Sequence, residues 1–258
     1  MIDLSFWYQD LSDIFNYELR NLAEIPASEL GPSCEELCTF FRTAGIGALL
    51  LDLNIDRFYH MLIRSGLTRV FLLQQTASEK KELSRFCKIT KANGFFDSVA
   101  ANRFDVAEKI IILSPQKWME RYEYEDDFCY ILFLYNIIMG GEKSPKEKII
   151  DRFEKILEGE SSPKYDVCYA LFKQDNQYFD DAFSDLLDLW TDEIEFQKRS
   201  ISRNDMEFAS ARHVYIEGLA LLRIAEMVGI NTQDEYQYCP KEARLPMRTP
   251  FPNTGFPM

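Results

Sequence analysis

The chain has 258 residues, and its 42 acidic side chains against 29 basic ones give a formal charge of −13. A chain of this length buries enough surface for one large domain or two small ones. The negative charge disfavours direct binding to nucleic acids or anionic membranes, and it favours a basic protein as the partner.

The N-terminus lacks the features of a secretion signal, which begins with positive charge and continues with an apolar core. No basic residue precedes Arg20. The longest apolar run, residues 128–139, is too short to cross a bilayer and contains Asn136. We therefore expect a soluble, cytoplasmic protein, and we expect its six cysteines to be free and buried.

The spacing of apolar residues predicts helices from the start of the chain. Residues 4–22 repeat at three and four and predict a first helix before Pro26. Ser33 and Glu36 have the spacing of a capping box, which predicts that a second helix begins there.

Two glycines and an asparagine divide the next part of the chain. Gly45 and Gly47 lie within the apolar pattern of the second helix, and we expect them to interrupt or loosen it. Asn54 is a favourable residue for a helix N-cap, so it is predicted to start the following helix.

Two later stretches have the pattern of helical hairpins. Residues 94–113 place apolar residues on both sides of a turn at 101–103, and residues 169–187 do so around a polar turn at 173–177. The apolar run 128–139 between them is predicted to be a buried helix, because it is long for a strand. Two hairpins of related pattern indicate helix pairs stacked as in a solenoid.

Residues 204–228 form a long, mostly apolar stretch, which predicts one central helix. Asn204 and Glu207 have the spacing of a capping box at its start. Arg223 and Glu226 lie three residues apart on its narrow polar side, where they are predicted to form an ion pair. These four residues are assigned a structural role.

The segment 239–258 is rich in proline, so it is predicted to be neither helix nor central strand. We expect it to lie extended across the acidic body, with Arg244 and Arg248 near carboxylates. Residues 1–258 are thus predicted to form a single all-α domain, a solenoid-like bundle of stacked helical hairpins with this tail docked on it. A division into residues 1–160 and 161–238 stays open, because residues 159–163 resemble a linker.

No catalytic arrangement is recognisable in the sequence. Its two histidines, His60 and His213, lie in no metalloprotease motif and beside no nucleophile. His213 precedes Glu217 by four residues and is interpreted as a buried histidine with a hydrogen-bond partner. We predict no enzymatic activity and no cofactor.

Cys34 and Cys38 share a helix face and could supply half of a zinc site, but no second pair of Cys or His residues completes it. Asp180, Asp181 and Asp185 resemble the magnesium-diphosphate motif of all-helical prenyl-diphosphate synthases.

That resemblance predicts a second motif, for which Asn204-Asp205 is the nearest candidate. Phe208 and Arg212 stand at the hydroxyl and carboxylate positions of this motif, so it fails. Because a Mg²⁺ site needs several oxygen ligands, we predict no metal site.

The acidic residues are interpreted instead as surfaces for a cationic protein. Five of them recur at intervals of three and four on one side of an amphipathic helix, and they are called the acidic stripe: Asp181, Asp185, Asp188, Asp192 and Glu195. The second acidic cluster has tyrosines beside it, as interfaces often do: Glu123, Glu125, Asp126 and Asp127. The alternative for the acidic stripe is a merely solvated helix face. The alternative for the second acidic cluster is a loop that caps the following helix, since acids favour helix starts.

Three segments carry a resemblance to a known family: residues 92–115 (ANGFFDSVAANRFDVAEKIIILSP), 124–134 (YEDDFCYILFL) and 217–252 (beginning EGLALLRIAEMVGI). They are similar to the immunity proteins of bacterial polymorphic toxin systems, specifically the immunity protein 49 family. The resemblance implies an all-helical, cytoplasmic, non-enzymatic protein that binds and neutralises a toxin. It assigns no binding residues.

The sequence and the resemblance together predict a protein that neutralises its cognate toxin by covering the toxin's active site or substrate path. The negative charge favours a basic toxin of the nuclease type. Two alternatives stay open. One is a helical-repeat adaptor for another basic protein, and the other is a magnesium-dependent prenyl-diphosphate enzyme.

Overall fold

The computed structural model describes residues 3–9, 11, 22, 25–78, 85–200 and 204–252. Within these ranges the secondary structure is helical and contains no β-strand, so the predicted all-α class is confirmed. No helix in the described ranges is long and apolar enough to cross a membrane. Residues 4–9 of the predicted first helix are helical, whereas residues 10 and 12–21 lie outside the described part.

Ten α-helices follow within the described ranges. They are α1 (Ala27–Leu50), α2 (Ile55–Ser78), α3 (Asn93–Ala100), α4 (Phe104–Leu113), α5 (Glu125–Ile138), α6 (Lys143–Leu157), α7 (Pro163–Lys173), α8 (Asn176–Lys198), α9 (Met206–Ala211) and α10 (Ile216–Met227). A short 3-10 helix, Lys241–Arg244, lies near the end of the chain.

Helix α1 is longer and more continuous than predicted. It begins at Ala27 rather than at Ser33, and it is not interrupted at its glycines. A Cβ atom on Gly45 would lie 3.1 Å from the carbonyl oxygen of Phe58 in α2. Gly47 is covered in the same way by the ring of Tyr8. These glycines therefore allow neighbouring segments to approach α1 closely. A sequence pattern does not distinguish this role of a glycine from a helix break.

The prediction for Asn54 is confirmed, since its side-chain oxygen accepts a hydrogen bond from the N–H of Arg57 at 2.9 Å. Both helical hairpins are also confirmed, as α3 with α4 and as α7 with α8. Their turns contain Asn102 and Gln174, which adopt left-handed conformations with φ of 56°. The apolar run 128–139 forms α5, as predicted.

The order of packing departs from a simple solenoid, in which each repeat contacts only its neighbours. Consecutive helices do pair, as in α1 with α2 and α7 with α8. The last two helices return to the first part of the chain, because α9 packs against α1 and α10 packs against α3. The helical stack is therefore closed by its own C-terminal part.

The prediction of one central helix over residues 204–228 is wrong, because the structure has two helices there, α9 and α10. The N–H of Tyr215 donates to the carbonyl oxygen of Tyr238 at 2.8 Å, so it is unavailable to a helix continuing from α9. Helix α9 begins at Met206 with Asp205 as its N-cap residue, and Asp205 makes no side-chain cap hydrogen bond. The capping box of Asn204 and Glu207 stays a prediction. Apolar residues on all sides predict burial, and they do not require that a helix be continuous.

The apolar core extends through most of the helices. One cluster of buried residues runs from Leu4 to Ala243 and includes Phe153 and Phe183 on the two sides of the linker-like residues 159–163. A smaller cluster surrounds Leu37 on α1. The single domain over residues 1–258 stays a prediction, and this shared core favours it over a division at residue 160.

Candidate functional site

Helix α8 carries the acidic stripe on a scaffold with one buried face. Its start is capped by Asp175, whose side chain accepts a hydrogen bond from the N–H of Tyr178 at 3.0 Å. The face opposite the stripe is buried against the rest of the molecule: Phe179, Ala182, Phe183, Leu186, Leu187 and Ile194. Burial of this face determines which side of α8 meets solvent.

Side chains from the C-terminal part of the chain hold α8 in place. The ring of Trp190 stacks on Tyr215, with centroids 4.3 Å apart. The ring of Phe183 meets Tyr236 edge to face at 5.0 Å, and the Tyr236 hydroxyl donates to Asp180 at 2.8 Å. The outward direction of the stripe thus depends on contacts with residues far along the sequence.

The five carboxylates of the acidic stripe are all exposed. Glu195 forms an ion pair with Lys198, which lowers the pKa of Glu195, and Asp181 accepts a hydrogen bond from Gln177 at 3.0 Å. Among the described residues, no ion pair forms at the other three positions: Asp185, Asp188 and Asp192. Like charges at this spacing repel one another by a few tenths of a kcal/mol per pair, so a cationic partner would relieve a small cost.

Two large apolar side chains border the stripe on one edge, and sequence reasoning did not identify them. Leu189 is 49% exposed and Phe196 is 70% exposed. We call them the apolar pair. At about 100° per residue they fall between the stripe and the buried face, two helical turns apart. A helical projection of the sequence places both residues beside the stripe. Their exposure is seen only in the folded molecule, because another segment could have covered them.

The second acidic cluster is mostly engaged within the protein. Glu125 accepts a hydrogen bond from Arg152 at 2.8 Å, and Asp127 lies 2.7 Å from the ammonium group of Lys164. The side chain of Asp126 accepts from the N–H of Asp127. These three acids occupy the first turn of α5, where negative charge favours a helix start.

Glu123 differs from the other three acids of the cluster, and its contact with a partner stays a prediction. Its side chain is buried, with 8% of the residue exposed. Burial also raises the pKa of its carboxyl group, and nearby Lys88 offsets only part of that shift. The pattern of acids and tyrosines does not reveal this burial. Trp118, five residues earlier, donates a hydrogen bond to the backbone carbonyl oxygen of Glu123 at 3.1 Å.

The predicted structural arginines lie where the C-terminal segment meets α10 and α2. Arg223 and Arg244 both pair with Glu226, at 3.3 Å and 2.6 Å. Arg223 also donates to the carbonyl oxygen of Arg244 at 2.8 Å. Tyr59 of α2 donates to the carbonyl oxygen of Leu245 at 2.6 Å. Together these contacts hold the segment against the helices.

The C-terminal segment is not wholly extended, because Lys241–Arg244 forms a 3-10 helix. Arg248 lies near a carboxylate, but it is its backbone N–H that donates to Asp56, at 2.7 Å. Residues 253–258 of the predicted tail lie outside the described part of the chain.

A comparison with family models identifies the chain. The family described as Immunity protein 49 matches residues 58–243. The chain belongs to this family. The match confirms the resemblance, and it covers α8, α9, α10 and the 3-10 helix up to residue 243. No curated protein and no solved structure matches the chain.

Membership of the family indicates which kind of partner this immunity protein binds. Immunity proteins of toxin systems bind a cognate toxin, and they generally act by binding rather than by catalysis. Within the described residues, no group of three potential metal ligands is close enough to hold a metal ion. In the segment that resembles the magnesium-diphosphate motif, Asp180 accepts a hydrogen bond from Tyr236 and Asp181 accepts one from Gln177.

The structure places His213 at the surface of the immunity protein and both Cys34 and Cys38 in its interior. His213 is exposed rather than buried, and Glu217 accepts a hydrogen bond from Tyr130 at 2.7 Å. Cys34 and Cys38 are buried and free. Burial raises the pKa of Cys38 to about 12, so its thiol is protonated at neutral pH.

Proposed function

We propose that this immunity protein neutralises a basic cognate toxin by binding it with the exposed face of α8. The observation that carries the proposal is the row of five exposed carboxylates on a helix whose opposite face is buried. A fixed row of like charges attracts a cationic surface and selects against anionic ones. Family membership supplies the class of partner, and the stripe supplies the surface.

A toxin of the nuclease type fits this surface best, because a nuclease must attract the phosphates of its substrate with basic residues. An acidic helix competes for the same basic residues and keeps the substrate away. A stable complex of this kind buries about 1,600 Å² in total, or about 800 Å² on each partner. Helix α8 has 23 residues and is about 35 Å long, which is enough to cross such an interface.

Co-expression tests the function itself. The toxin encoded beside this chain's gene should stop growth when it is expressed alone, and growth should return when the immunity protein is expressed with it. The two purified proteins should form a complex that elutes as one species. Failure of both rescue and complex formation would remove the proposal, and equally weak binding to several unrelated basic proteins would favour an adaptor.

The stripe is tested by replacing three of its charges. We expect Asp185→Asn, Asp188→Asn and Asp192→Asn together to lower the association rate constant for the toxin about tenfold at low salt, with a weaker dependence on salt. A matched control removes three exposed acids at similar spacing from α6: Glu147→Gln, Asp151→Asn and Glu154→Gln. Stopped-flow kinetics should separate the two variants. Equal slowing of both would mean that net charge, rather than the stripe, governs association.

The activity of the toxin is tested separately. Purified toxin should cleave plasmid DNA or transfer RNA, and one equivalent of the immunity protein should stop the cleavage. A toxin that leaves both nucleic acids intact would contradict the nuclease assignment, while neutralisation through α8 would still be tested by the growth assay.

A further inference from the structure

We propose that the apolar pair, Leu189 and Phe196, is the anchor by which the toxin is held after the acidic stripe has attracted it. This inference rests on the proposed function and names the chemistry of the toxin surface. The toxin should present an apolar cleft bordered by lysine or arginine side chains.

The exposure of the apolar pair is the first observation. Half of Leu189 and more than two thirds of Phe196 meet solvent, although α8 has a buried face that could accommodate apolar residues. The two side chains lie about 10 Å apart along one edge of the helix, since seven residues make two turns. Large side chains of this kind form the centre of interfaces, where they are enclosed by the partner and surrounded by polar residues.

Charge identifies the occupant of this face. The apolar pair borders five carboxylates, so whatever covers it must bring positive charge beside an apolar surface. A second copy of this chain does not fit, because a twofold contact through α8 would place one acidic stripe against the other. The basic toxin of the proposed function does fit.

The stripe and the apolar pair should control different steps of binding. Charges at an interface act over long distance and raise the rate of association. Enclosed apolar side chains act only after contact and lower the rate of dissociation. Loss of the apolar pair should therefore leave association almost unchanged and shorten the lifetime of the complex.

The test compares two double variants of the full chain. Leu189→Ala with Phe196→Ala removes the apolar pair. Ile112→Ala with Met139→Ala removes two side chains of similar exposure, 69% and 46%, from elsewhere in the chain: Ile112 lies in α4 and Met139 directly after α5. Binding to a catalytically inactive form of the neighbouring-gene toxin is followed by surface plasmon resonance. We expect the first variant to raise the dissociation rate constant at least tenfold, with association changed less than threefold, and the control to match the unmodified chain.

Each outcome has one meaning. If the unmodified chain forms no complex with the toxin, the proposed function fails before the anchor is tested. If a complex forms and the Leu189/Phe196 variant dissociates at the unmodified rate, this inference is overturned. Thermal unfolding of both variants shows whether the fold is intact, and the single Phe196→Ala variant gives a second measurement. A dimer of the free chain that the double variant abolishes would assign the face to self-association and overturn the inference.

Discussion

Glu123 shows how burial changes the role of a single acidic residue. Its two neighbours in sequence, Tyr122 and Tyr124, are exposed, whereas only 8% of Glu123 itself meets solvent. In the described part of the chain its carboxylate forms no ion pair. A charge enclosed in this way is destabilising, because the charged form loses hydration.

Replacement of this carboxylate should therefore stabilise the protein. We expect Glu123→Gln to raise the free energy of unfolding at pH 7 by about 1 kcal/mol, because it removes a buried charge and keeps a side chain of the same shape. This corresponds to a rise in Tm of about 2–4 °C. Glu120→Gln is the control, because Glu120 is a nearby exposed acid. A lower Tm for Glu123→Gln than for the unmodified chain would contradict the assignment.

The pH dependence of the stability gained by Glu123→Gln follows from the direction in which the pKa of Glu123 is shifted. The pKa of Glu123 is raised in the folded protein, so the folded state binds this proton more tightly than the unfolded chain does. The destabilisation develops as pH rises from the unfolded glutamate pKa, about 4.3, through the folded pKa, and it is complete above that value. The advantage of Glu123→Gln should thus shrink as the pH is lowered from 7 toward 4.

At the scale of elements, a buried ion pair connects the first three helices. Arg42 on α1 donates to Asp97 on α3 at 2.8 Å, and Ser65 on α2 donates to the second oxygen of the same carboxylate. Asp97 is fully buried, and 15% of the Arg42 side chain is exposed. Arg42 also donates to the carbonyl oxygen of Asn93 at the start of α3. The pair thus fixes where α3 lies against the α1–α2 hairpin.

Loss of one partner from this pair should be costly. We expect Asp97→Asn to lower the free energy of unfolding by about 3 kcal/mol, because the Arg42 charge is left largely buried without its counter-ion. Adding Arg42→Met should restore part of the loss, since the double variant leaves no unpaired charge. Asp105→Asn, which breaks the more exposed pair with Arg103, is the control and should cost less than about 1 kcal/mol. Equal losses for Asp97→Asn and Asp105→Asn in urea titrations would contradict this role.

At the scale of the whole molecule, the C-terminal part of the chain joins helices that are distant in sequence. Helix α10 packs on α3, and the segment after it reaches α2 through the bond from Tyr59 to Leu245. The buried core continues across residues 159–163. These connections favour one cooperative unit, in contrast to a solenoid whose ends are independent.

Urea unfolding tests this cooperativity with two tryptophans that lie on opposite sides of residue 160. The variant Trp7→Phe/Trp190→Phe reports on Trp118, and Trp7→Phe/Trp118→Phe reports on Trp190. In each variant we expect the fluorescence midpoint to coincide with the midpoint from far-UV circular dichroism, because the whole helical content is lost in one transition. Comparison within a variant controls for the effect of the substitutions. Fluorescence transitions that precede or follow the circular dichroism transition would indicate two domains.

The sequence by itself determined the features that are encoded within one or two helical turns. The apolar spacing predicted the two hairpins and α5, and the spacing of acids predicted the acidic stripe on α8. These predictions succeed because helical periodicity is local, so each residue's face follows from its neighbours. The family resemblance was also present in the sequence, and it identified the class of partner.

The tertiary structure alone decided the features that depend on distant contacts. The break between α9 and α10 includes a hydrogen bond from the N–H of Tyr215 to the distant carbonyl oxygen of Tyr238. The glycine at position 45 of α1 allows the close approach of α2. The burial of Glu123 and the exposure of Phe196 likewise depend on which segments pack beside them. Similar local patterns occur in buried and exposed segments, because the free energy of a side chain is set by its surroundings in space. The acidic stripe was therefore predictable, whereas the apolar pair beside it became visible only in the folded molecule.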